Sequence, residues 1–81
     1  MGITLPTWFM DLLKNLGPIG IALEALLMLI LGGTATMAQM RQAEAYIGVM
    51  EPLFLAMGPM VSMQVDMVSE AISDAMARAA K

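Results

Sequence analysis

The amino-acid sequence predicts an all-α protein: a membrane-type helical hairpin with a short N-terminal amphipathic helix and a long, Pro-containing second helix. Three observations carry that reading. Two apolar stretches, Pro18–Ala38 and Ala45 to about Val65, flank a polar interval, Gln39-Met40-Arg41-Gln42-Ala43-Glu44. Apolar residues make up 59% of the chain and charged ones only 14%, against the ~25% charged that soluble domains carry. Gly17-Pro18 and Gly58-Pro59 lie at similar distances on either side of the polar interval, as if each marked the far end of an arm. A lone globule of 81 residues has too little interior to hide so much apolar surface, so lipid or further copies of the chain are expected to cover it. The whole chain, residues 1–81, reads as one helical-hairpin domain.

Residues 7–16 are the first element. On a helix, Trp8, Leu12, Leu13 and Leu16 share one face, and Thr7, Asp11, Lys14 and Asn15 share the other. Thr7 after Pro6 reads as an N-cap and Gly17-Pro18 as a stop. With Trp8 at its start, this two-faced piece suits a membrane–water interface or the side of a neighbouring protomer. Met1–Pro6 lacks the cationic start of a secretory signal peptide.

Residues 18–38 are the first apolar arm, interrupted by Glu24, Thr34 and Thr36. At ~1.5 Å per residue they reach about 30 Å, the thickness of a bilayer core. Residues 39–44 are expected to form the polar turn. Gly32-Gly33-Thr34 is a second place where the helix could break, since each glycine lowers helicity by roughly 1 kcal/mol. The turn is assigned to 39–44 because the two Gly-Pro steps then fall at matching distances.

Residues 45–81 are the second arm, with an amphipathic C-terminal part. Asp66, Glu70, Asp74 and Arg78 form a polar stripe, and Val65, Val68, Ile72 and Met76 an apolar one. Unbroken from about Ala43 to Ala80, this helix would be about 57 Å long. Gly17, Pro18, Gly58 and Pro59 are expected as helix kinks, tolerated where neighbours satisfy the freed carbonyls. Asp74 and Arg78 form an acid-then-base i,i+4 pair, and Arg78 and Lys81 complement the helix dipole. Gly32, Gly33, Ala35 and Ala38, with Ala56 and Gly58 opposite, would let the arms approach closely.

Composition also limits the chemistry. The chain has neither Cys nor His, which removes disulfides, thiol chemistry, imidazole ligands and the commonest general base. Four cations against seven acids leave a net charge of −3, and no basic patch suggests nucleic-acid binding by the monomer. No paired catalytic constellation, phosphate loop or metal-ligand spacing is present, so an enzyme is not expected, nor is any catalytic or metal site. Eleven methionines are read as adaptable packing rather than a copper site. Glu24 and Glu51 interrupt apolar runs. An ionised carboxylate in hydrocarbon costs at least ~2.5 kcal/mol, so both are expected at subunit or lipid-head interfaces, hydrogen-bonded or paired. A proton-carrying role, as in two-helix rotor subunits, fits poorly because the position about twenty residues past the turn is Val61.

Leu16-Gly17-Pro18-Ile19-Gly20, followed by an apolar run and then by Arg41, resembles the major pilins of bacterial conjugation and T-pilus systems, and equally the archaeal DNA-import pilins. The similarity of layout covers residues 8–65; residue identity is concentrated at 16–20. The resemblance implies a pilin: the structural subunit of a lipid-containing helical pilus of a type IV secretion-like conjugation or DNA-import apparatus. It implies a homo-polymer holding roughly one lipid per subunit, with Gln39, Arg41, Gln42 and Glu44 lining the lumen. Partners would be the secretion-machine ATPase and membrane proteins, with DNA as cargo held without sequence-specific contact. No cofactor is implied beyond structural lipid. The subunit would reside in the cell membrane before assembly and in an extracellular pilus afterwards. The chain departs from the bacterial pattern in its longer and more charged C-terminal extension. A small two-span membrane protein, either an accessory subunit of a membrane complex or a phage holin-like pore-former, is the alternative. The acidic residues Asp66, Glu70 and Asp74 count against the basic tail usual in holins.

Overall fold

Four helices follow one another in the computed structural model, which describes residues 5–81: α1 (Thr7–Asn15), α2 (Pro18–Leu31), α3 (Met37–Ala56) and α4 (Pro59–Ala79). Residues 1–4 of the expected domain, and with them most of the Met1–Pro6 segment, lie outside the described residues. The all-α expectation holds. The hairpin is replaced by a bundle with principal dimensions of 36 × 22 × 21 Å, in which α1 packs on α2, α2 on α3 and α3 on α4. Among the described residues there is no strand, and no helix is long and apolar enough to cross a membrane. The 14 residues of α2 reach only about 21 Å at ~1.5 Å each, and α3 carries Arg41, Glu44 and Glu51 along its length.

The polar interval 39–44 is helix, not turn. Gln, Met, Arg, Ala and Glu are all good helix formers, so a polar run made of them continues a helix as readily as it breaks one. Thr36 then starts α3 with a capping box. Its hydroxyl accepts from the Gln39 backbone N–H at 3.1 Å, and the Gln39 side-chain oxygen accepts from the Thr36 N–H at 2.8 Å. The reversal lies at Gly32–Ala35. There Gly33 takes φ +77°, a conformation that side chains disfavour, and the Thr34 N–H bonds back to the Leu29 carbonyl at 3.0 Å.

The long second helix is also divided. Gly58 adopts φ +112° and Pro59 occupies the first position of α4, so α4 folds back along α3. The same device joins α1 to α2, with Gly17 at φ +100° and Pro18 opening the helix. These Gly-Pro steps are therefore corners between helices rather than kinks within one. Pro52, by contrast, sits inside α3 without ending it. Pro6 occupies the N-cap position of α1 and gives no side-chain bond, so Thr7 is the first helical residue rather than the cap.

The core takes Phe9 and Leu13 from α1; Leu23, Leu27 and Ile30 from α2; Met40, Ala43, Ile47, Met50 and Phe54 from α3; and Val65, Val68, Ile72 and Ala75 from α4. Phe9 and Phe54 lie 6.5 Å apart between ring centres, which ties the first helix to the third. The apolar face of α1 is thus spent inside the molecule. Trp8 alone among its large side chains stays exposed, edge-on to Phe9 at 5.8 Å. On α4 the expected apolar stripe is the buried one: Val65, Val68 and Ile72 are covered, and Met76 packs against them.

Candidate functional surfaces

Glu24 is the first of the two interrupting acids, and the structure places it at the corner of α1 and α2. Its side chain is only 12% exposed, and a carboxylate oxygen lies 3.7 Å from the Lys14 ammonium. The Gly17-Pro18 corner turns the chain back so that a cation near the end of α1 meets an acid in the second turn of α2. Close approach at that corner depends on Gly20, where a Cβ would run into the backbone carbonyl oxygen of Leu13. Helix contact through small residues therefore occurs at Gly20. Gly32, Gly33, Ala38 and Ala56 are exposed, contrary to the expectation that they line a close approach of two arms.

Glu51, the second acid, is exposed on α3 at the rim of a groove against α4. The groove encloses about 110 Å³ and is bordered by Ile47, Phe54, Leu55 and Val65 together with Glu51, Ser62, Asp66 and Ser69. Asp66 was legible in the sequence only as part of a solvated stripe. Its nearness to Glu51 follows from the Gly58-Pro59 corner, which brings α4 back beside α3.

The residues expected to line a lumen all lie on the first half of α3. Gln39 is engaged in the cap, and Gln42 donates to the Tyr46 hydroxyl at 2.8 Å. Arg41 and Glu44 are exposed. Asp74 and Arg78, expected as a pair, are not within ion-pair distance; among the described residues the one ion pair is Lys14–Glu24. Among the described residues, too, no group of three or more acidic side chains is placed to hold a metal ion.

The outward side of α2 presents Pro18, Ile21, Ala25, Met28 and Leu29, with no polar side chain among them. Its inward side is equally apolar, with Leu23, Leu27 and Ile30 in the core. Glu24, turned to Lys14 at the α1 corner, is the one charged residue of this helix. A helix so largely apolar belongs in an interior, yet it leaves Ile21 53% and Met28 60% exposed. Further apolar side chains are exposed on α3, at Val49 and Leu53, and on α4, at Met60, Met63 and Met67. The periodicity of residues 18–31 could have signalled this surface, since no rotation of that helix gives it a polar face. The chain matches no protein-family model, and comparisons with curated proteins and with solved structures find no match either.

Proposed function

We propose that the chain is the structural subunit of a homo-polymer, a pilin-like protein whose apolar faces are covered by neighbouring copies and by lipid. The observation that carries this reading is α2, apolar except for the Lys14-paired Glu24 and yet exposed at Ile21, Ala25, Met28 and Leu29. Contiguous exposed apolar surface of this kind marks association with protein or membrane. A polymer can cover both this surface and the exposed apolar residues of α3 and α4.

The segment Leu16–Gly20, which carries the resemblance to conjugative pilins, supports the further assignment to a type IV secretion-like conjugation or DNA-import apparatus. In that setting the subunit is a non-enzymatic component, stored at the cell membrane and assembled into an extracellular pilus with roughly one lipid per copy. Arg41, repeated on every subunit, would offer its charge to lipid phosphate or to passing DNA. The membrane-stored stage would require α2 to lengthen through residues 32–38, or several copies to enter the lipid together. The filament stage requires neither and is the one to test. Negative-stain microscopy of material sheared from cells producing the full chain should show filaments. Small particles of monomer mass, free of lipid, would overturn the proposal.

A further inference from the structure

We infer that the groove between α3 and α4 receives the cationic end of α4, Arg78 and Lys81, from a second copy of the chain, joining copies head to tail; this rests on the polymer reading above. The groove has an apolar floor of Ile47, Phe54 and Val65 and two carboxylates, Glu51 and Asp66, at its edge. At about 110 Å³ it falls well short of the ~300 Å³ at which small-molecule sites begin, but it admits a side-chain head group. Exposed Leu55 on its border offers apolar surface to the stem of a lysine or arginine, whose charged head would reach the carboxylates.

The charge pattern of α4 supplies the occupant. Along its exposed side run Asp66, Glu70 and Asp74, followed by Arg78, with Lys81 just past the helix end. Asp66 and Arg78 are about 18 Å apart along the axis at ~1.5 Å per residue, so one helix cannot bring its own ends together. Among the described residues neither Arg78 nor Lys81 has an acid within ion-pair distance, and neither Glu51 nor Asp66 has a cation. Complementary charges separated in this way are matched by translation to another copy.

Symmetry favours a polymer over a closed pair. Two α4 helices set antiparallel, so that Arg78 faced Asp66 in both directions, would also place Glu70 opposite Asp74 twice. Like charges so placed repel, and the head-to-tail contact avoids this. It also leaves one groove and one cationic end free on each terminal copy, so addition can continue.

Charge reversal in the full chain tests the contact, with polymer measured by sedimentation and microscopy and helicity by circular dichroism. Arg78→Glu with Lys81→Glu should abolish pelletable polymer while leaving helicity unchanged, and so should Glu51→Lys with Asp66→Lys. Combining all four reversals should restore polymer. Polymer from the reversed variants equal to wild type, or no restoration in the combination, would overturn the contact while leaving the polymer reading intact. A wild-type chain that stays monomeric would remove both.

Discussion

Gly20 and Gly48 are both helical glycines, and they should respond to alanine in opposite directions. At Gly20 the added methyl meets the Leu13 backbone carbonyl, which cannot move aside without parting α1 from α2. Overpacking of that kind costs about 1–3 kcal/mol, more than the ~1 kcal/mol that alanine gains in helix propensity. Gly48 is exposed and nothing lies near the position of its missing Cβ. Gly48→Ala should therefore stabilise by about 0.5–1 kcal/mol, and Gly20→Ala should destabilise. Thermal unfolding followed by circular dichroism checks both; equal shifts would show that the α1–α2 approach is not tight. Ile72, of the apolar stripe, is fully buried against its own chain. Ile72→Asp should unfold the monomer, so it cannot report on assembly. Arg41 is exposed on the first half of α3. If it lies in a repeated conduit, Arg41→Glu should keep the helicity of the monomer but reduce assembly or transfer, while Arg41→Lys is tolerated; transfer unaffected by Arg41→Glu would remove the conduit role.

Thr36 decides where α3 begins, and its loss should be felt there. Thr36→Ala removes the hydroxyl that accepts from Gln39 and should cost about 1 kcal/mol, with faster amide exchange confined to the first turn of α3. Unchanged exchange would show that the cap does not set the start of the helix. The same residues explain what could be read in the sequence. Helical content, the amphipathic α1 and the buried stripe of α4 were legible, because each follows from periodicity within one segment. The reversal lies at the second break that Gly32-Gly33-Thr34 offered and not at 39–44, because polarity alone does not break a helix, whereas a glycine at φ +77° followed by a Thr-x-x-Gln capping box does. Gly17-Pro18 and Gly58-Pro59 were located correctly but their angle was not. A proline at the first position of a helix permits either a kink or a corner, and only tertiary packing chooses between them. Glu51 was singled out without its neighbour Asp66 for the same reason: their proximity depends on that corner.

At the scale of the whole molecule, the balance between burial and exposure differs from helix to helix. The inner faces close into one core, while α2 leaves an apolar side outward that no segment among the described residues covers. Burying the remaining exposed part of Ile21 and Met28 would contribute roughly 1 kcal/mol each, and the gain recurs on every copy of a polymer. Placing a lysine at such a contact instead costs several kcal/mol if its charge is shut away from water unpaired. The pair Ile21→Lys with Met28→Lys therefore separates folding from assembly. Both positions already face outward, and lysine is a good helix former, so helicity and thermal unfolding of the monomer should stay close to wild type. Polymer should disappear, and the lipid recovered by organic extraction and mass spectrometry should fall from roughly one molecule per chain to well below that. The outcome against the proposal would be a doubly substituted chain that still forms filaments and retains its lipid: α2 would then face solvent in the assembly, and the apolar surface that carries the polymer reading would be covered by nothing.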